Sequence, residues 1–259
     1  MRAEEALAKA PGSAFIAFLP AGFPSVKASI EAARTVIDAG ADIVEIGLPY
    51  SDPGMDGPVI QAASQRALTG GFRVSDLFRI VEAISDRGAA IEVMSYINPI
   101  VRYGIDNFAR DLSQAGGAGL ITPDLIPDEA GEWIEVSTRR ELDRIFLVAP
   151  SSRPDRLKLV AQSSTGFVYA ASTMGVTGTR DEVDSRAEQL VADTRAAGAE
   201  RVCLGLGVST AEQARQVGAY ADGVIVGSAL VRALAEDESM ARLATVASDI
   251  ATGAHEARP

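Results

Sequence analysis

The chain has 259 residues, 47% of them hydrophobic, and a net charge of −11. That length suits one large α/β domain with a substantial core, and the acidity speaks against a general nucleic-acid binder or a basic membrane-surface protein. The one cysteine, Cys203, allows no internal disulfide, and no apolar run reaches the length of a membrane span.

The opening "MRAEEALAKAPG" is charged and has no long apolar stretch, so it reads as a short N-terminal helix rather than a signal peptide. A soluble cytoplasmic protein is the expectation. Eight short β-branched runs follow: "AFIAFL" (14–19), "DIVEIGL" (42–48), "IEVMSY" (91–96), "AGLITPD" (118–124), "RIFLVAP" (144–150), "GFVYAAS" (166–172), "RVCLGLG" (201–207) and "DGVIVGS" (222–228). Each reads as a buried strand. Amphipathic stretches lie between them. In "SVKASIEAARTVIDAGA", Ser25 suits an N-cap and Gly40 a C-terminal stop. The last residues, about 252–259, read as a flexible tail, and the single histidine, His255, falls in it.

Eight β/α units of roughly 32 residues each predict a single (β/α)₈ TIM barrel spanning 1–259. An open doubly wound sheet would want a Gly-rich fingerprint after the first strand, and "PAGFPS" is not one. In such barrels the site forms at the C-terminal ends of the strands. Glu45, Asp52, Asp56, Tyr96, Asp124 and Tyr169 then crowd one mouth, with the glycine-rich ends of strands seven and eight.

Gly205, Gly207, Gly227 and Ser228 stand where this fold commonly binds phosphate, and Gly178 after strand six adds another amide. Glu45 shares a strand face with Ile43, opposite Val44 and Ile46. If that face points inward, burial raises its pKa and lets it hold and release a proton near neutral pH. No arginine or lysine sits nearby to pair with it. Asp56, in "MDGP", is on spacing alone a turn residue, raised in interest by its place beside Glu45. Asp52 reads as a loop cap. The three lysines, Lys9, Lys27 and Lys158, all lie away from strand ends, so none is placed for a Schiff base. No metal-ligand spacing appears. What remains is acid–base chemistry by carboxylic acids on a phosphorylated substrate.

"EIGLPYSDPGMDGPVIQ" closely resembles the signature of the tryptophan synthase α chain family. "FIAFLPAGFPS", "SYINPIVRYG", "GLITPDLIPDE", "FVYAASTMGVTG", "GLGVS" and "DGVIVGSALV" extend the similarity, in order, through nearly the whole chain. The resemblance implies a lyase of tryptophan biosynthesis that cleaves indole-3-glycerol phosphate to indole and glyceraldehyde 3-phosphate, within an activity formally classed as a carbon–oxygen lyase. It implies that Glu45 and Asp56 are catalytic. Phe18, Met94, Tyr96, Tyr169 and Ile225 match pocket positions, and Thr177 matches a residue that helps close the lid. Gly178, Gly207, Gly227 and Ser228 match the phosphate cradle. It further implies a β-chain partner in an α₂β₂ heterotetramer, contacted by Asp52. Pyridoxal phosphate is expected in that β chain, and no cofactor or metal in this one. Gly54-Met55, Leu206 and Phe23 depart from the family's common residues. A stand-alone indole-releasing lyase and a non-catalytic activator of the β chain are the alternatives.

Overall fold

A computed structural model describes residues 1–172 and 180–257. Eight parallel strands close into a barrel in the order of the chain. They are β1 (Ala14–Pro20), β2 (Ile43–Gly47), β3 (Ala90–Met94), β4 (Gly119–Thr122), β5 (Asp143–Val148), β6 (Val168–Ala171), β7 (Val202–Gly205) and β8 (Gly223–Val226). The barrel closes where Ile16 of β1 pairs with Ile225 of β8.

Helices α1 (Ala3–Lys9) and α2 (Val26–Asp38) flank β1, and α3 (Pro58–Thr69) and α4 (Val74–Glu82) follow β2. Next come α5 (Ile97–Tyr103) and α6 (Ile105–Gln114) after β3, α7 (Gly131–Arg139) after β4, and α8 (Pro154–Ser163) after β5. The circuit ends with α9 (Arg180–Ala196), α10 (Ala211–Gly218), α11 (Ser228–Glu236) and α12 (Ala241–His255). Ser25 caps α2 as expected, its Oγ accepting from the Ala28 N–H at 3.2 Å. Gly40 follows that helix at φ +109°, a conformation glycine reaches without strain.

Two apolar layers result from the period-two alternation of the strands. Val44, Ile46, Ile91 and Val93 face outward and pack under the helices. Ile16, Ile43, Ala90, Ile121, Ile145 and Ile225 face inward and fill the barrel. Helix α1 closes the N-terminal end of the barrel, with Ala3, Ala6 and Leu7 packed into the inner layer. Arg2 pairs there with buried Asp143, whose Oδ2 also accepts the Ala3 N–H at 3.1 Å. No described helix is long and apolar enough to cross a membrane.

The C-terminal end corrects the sequence reading. Residues 252–255 continue α12 instead of forming a tail. Ile250, Ala251 and Ala254 are buried, and a side chain at Gly253 would meet the Ala211 carbonyl at 2.1 Å. Small residues there are close-packing residues, so a segment that looked polar is anchored. His255 Nε2 lies 2.8 Å from Asp42 Oδ2, which also accepts the Phe15 N–H at 2.8 Å. The last helix is thereby tied to the start of the barrel wall.

Candidate active site

Glu45 occupies the middle of β2 with its side chain inward. Its neighbours in register are Phe18 on β1 and Glu92 on β3. The residue is 0% exposed, and neither carboxyl oxygen has a hydrogen-bond partner among the described residues. An ionised carboxylate in such surroundings costs far more than a neutral acid, so the group keeps its proton. Burial pushes its pKa from 4.5 up to about 8.

The loop after β2 brings Asp56 over the same mouth. Tyr96, just beyond β3, holds that loop: its Oη accepts the Met55 N–H at 2.8 Å and donates to Asp56 Oδ1 at 3.3 Å. Gln61 on α3 donates to the Asp56 carbonyl at 2.7 Å. Burial pushes the Asp56 carboxyl up, and the Tyr96 hydrogen bond opposes it. Asp52, in the same loop, is exposed and accepts from the Ser51 hydroxyl at 2.6 Å. Asp124 accepts the Ile97 N–H at 2.9 Å and fixes the start of α5.

Phe18, Asp56, Met94 and Tyr96 line one narrow pocket of about 20 Å³, joined by Gly47 and Ile60. Two glycines make room for aromatic rings at the mouth. A Cβ on Gly47 would lie 2.5 Å from Phe18 Cζ, and one on Gly205 would lie 2.7 Å from Tyr169 Oη. Tyr169, on β6, is partly buried, and its phenol is held well above its usual pKa by burial, with the Glu45 charge adding to the effect. Ile225 is buried in the inner layer against β1. A wider cleft at the other end of the barrel, lined by Glu4, Thr165 and Arg201 among others, lies away from the strand ends where this fold places chemistry.

Gly207 follows β7 in an exposed turn at φ +74°. Gly227 precedes α11, whose first residue, Ser228, is exposed. No side chain caps α11, so its first amides are available to an anion at the mouth. Gly227 also lies against Phe18, where an added Cβ would approach Cδ1 to 3.1 Å. The start of α11 and the apolar pocket are therefore adjacent. Thr177 and Gly178 lie outside the described residues.

Sequence reasoning missed Glu92. It is 0% exposed, inward on β3, and both its oxygens lack partners. The signal was present: "IEVMSY" carries a glutamate among apolar residues, as "DIVEIGL" does. Aligning the two strands in parallel register would have set the acids side by side.

A closed parallel barrel with an unpartnered acid buried at its C-terminal mouth, beside an uncapped helix start, places the chain among the (β/α)₈-barrel enzymes. A family model described as the tryptophan synthase alpha chain matches residues 5–257. The alpha chain from Bifidobacterium longum (strain NCC 2705) is 56% identical over 95% of this chain and 87% of that one. The alpha chain from Mycobacterium avium (strain 104) is 57% identical over 93% and 89%. Among solved structures, tryptophan synthase from M. tuberculosis in its aminoacrylate-bound form superposes with a TM-score of 0.90 at 48% identity, covering 98% of this chain and 100% of that one. The tryptophan synthase complex from Pyrococcus furiosus gives a TM-score of 0.83 at 31% identity, covering 92% and 98%. The chain belongs to the tryptophan synthase alpha chain family.

Proposed function

We propose that the chain, acting as one catalytic domain over residues 1–259, cleaves indole-3-glycerol phosphate by acid–base catalysis with Glu45 as the proton carrier. The buried, unpartnered state of Glu45 carries this reading. Glu45 gives its proton to C3 of the indole ring, which becomes an electron-accepting cation. Asp56 accepts the ring N–H and stabilises that charge. The Glu45 carboxylate then takes the proton of the glycerol hydroxyl next to the ring. The carbon–carbon bond breaks, its electron pair returns to the ring, and indole and glyceraldehyde 3-phosphate leave with Glu45 again protonated. Phe18, Met94, Tyr96, Tyr169 and Ile225 enclose the indole. Gly207, Gly227 and Ser228, with Gly178, hold the phosphate, and Thr177 acts in closing the loop after β6.

The partner is a tryptophan synthase β chain in an α₂β₂ assembly in the cytoplasm, with pyridoxal phosphate bound by that β chain. The tryptophan synthase structures among the solved relatives support the β-chain partner. So does an apolar surface at the barrel mouth. Met55 after β2, Val101 on α5 and Ile126 after β4 are exposed, Met55 and Val101 each at 56%, and Asp52 lies on the same rim. Large exposed apolar side chains grouped on one face mark a protein contact.

Indole release by the purified chain, with and without a β chain, tests the proposal. The expected result is slow release alone and a strong rise on mixing. An unchanged rate favours a stand-alone lyase, and no release in either state favours a non-catalytic activator.

A further inference from the structure

Glu92 lies in the row of residues that runs in register from Phe18 on β1 through Glu45, Glu92 and Gly119 to Asp143 on β5. Gly119 has no side chain to interrupt the row, and a Cβ there would meet the Asp143 carbonyl at 2.3 Å. Glu92 therefore stands between the acid at the mouth and the Arg2–Asp143 pair at the floor. A fully buried acid with two unpartnered oxygens is a cost to the fold. An apolar side chain of similar size would avoid that cost, and the inner layer around it is otherwise built of such residues. Packing alone gives no reason for a glutamate at this position.

The reaction supplies a reason. Once Glu45 has given up its proton it is an anion inside an apolar barrel. Among the described residues, the titratable groups facing it are Glu92 from β3, Tyr169 from β6 and Cys203 from β7. Asp143 on β5, with Arg2 and the N-terminal amine below, acts on Glu92 rather than on Glu45 directly. From β1, β4 and β8 come only Phe18, Ile121 and Ile225, which offer no proton. Burial first, then the charges of Asp143 and Glu45, hold the Glu92 carboxyl well above the usual range, against smaller opposition from Arg2 and the amine. Glu92 is thus a neutral O–H donor one strand away, about 4.8 Å between backbones. A carboxylic acid is a stronger donor than a phenol or a thiol, and a bond to a carboxylate is of the charge-assisted kind.

We propose that Glu92 is a positioning residue for Glu45: it keeps its own proton and turns its O–H toward the Glu45 carboxylate whenever Glu45 has given its proton away. The proposal rests on the acid–base reading of Glu45. No bond is made or broken at Glu92, and its proton returns to the same orientation when Glu45 is reprotonated.

The test compares Glu92→Leu and Glu92→Gln with the unaltered chain, each assayed with the β chain present across a pH series. In Glu92→Leu the anion loses its donor. The kcat should fall by about tenfold, the worth of one such bond. The pH limb that reports Glu45 should move up by about one unit, with KM unchanged. Glu92→Gln, whose amide N–H still donates, should recover most of both. Thermal stability should hold or rise in Glu92→Leu, whereas a merely structural role would lower the melting temperature and leave the pH limb in place. If the leucine variant does not fold, Glu92→Met takes its place. An unmoved limb with undiminished kcat in the apolar variant overturns the proposal. Glu45→Gln is assayed alongside: if it is inactive while the apolar Glu92 variant is unaffected, only the role of Glu92 fails, whereas an active Glu45→Gln removes the reading beneath it.

Discussion

Glu45→Gln should abolish indole release, lowering kcat by about 10³-fold or more, in a chain that folds and still binds its β partner. The substitution keeps shape and volume and removes only the proton that can be given and taken. The side chain has no ion pair or hydrogen bond to lose, so the loss of activity cannot be a loss of local structure. Stability should move the opposite way, by an amount that depends on pH. The folded chain holds the Glu45 proton up to about pH 8, against 4.5 for the ordinary carboxyl. The stabilisation from that bound proton is complete below the lower value and is lost as pH rises toward the upper one, at about 1.4 kcal/mol per unit. Glutamine carries no such liability. By calorimetry, the variant's advantage in melting temperature should therefore widen from about pH 5 to about pH 8. An advantage that does not change with pH would mean that Glu45 is ionised throughout.

Gly207→Asp should raise KM for indole-3-glycerol phosphate by roughly tenfold to a hundredfold, the range expected for a like charge placed about 5 Å from a phosphate at a partly solvated site. Gly207 is exposed and sits at φ +74°. Among residues with a side chain, aspartate and asparagine tolerate that region best, so the fold should survive. Gly207→Asn separates the two causes of weakening. It introduces a side chain of the same size without charge, and its effect on KM should be much smaller. Equal effects from both variants would mean that steric crowding dominates, and wild-type KM in both would place the phosphate elsewhere.

Much of the fold was legible because one rule was repeated. Each strand is a short β-branched run, and each connection carries a helical pattern that ends in glycine or a cap. Counting such units gives a closed barrel without any knowledge of side-chain contacts. The same alternation put Glu45 on the face of Ile43, opposite Val44 and Ile46, and the structure turns that face inward. The place where the reading failed has a physical cause. "TGAHEARP" looks like a frayed end because its small and polar residues carry no apolar period. Small residues also permit close approach, as at Gly253 against Ala211, and a histidine can reach a distant aspartate, as His255 reaches Asp42. Neither fact is visible without the neighbour.

The candidate site was legible in kind and incomplete in membership. Glu45 was singled out because a carboxylate near a strand end has a chemical meaning, and Asp56 by its place beside Glu45 and by the family resemblance. The hold of Tyr96 on the Asp56 loop was not visible, because it depends on a tyrosine 40 residues away donating across the mouth. Glu92 was not visible because its importance lies in register, which sets it beside Glu45. The departures from the family's common residues resolve into separate environments. Leu206 is buried in the outer apolar layer. Phe23 is buried under the Arg66 guanidinium, 5.4 Å from its ring centre. Met55 stands exposed on the rim.

The most direct measurement is an infrared titration of the Glu45 carboxyl, taken as the difference between the wild-type chain and Glu45→Gln so that the acids that do not feel the Glu45 charge cancel. The account predicts a protonated carboxyl band that persists through neutrality and disappears with a midpoint near pH 8. A midpoint near 4.5, the ordinary value for a glutamate, would mean that Glu45 carries no proton at working pH and cannot protonate the indole ring.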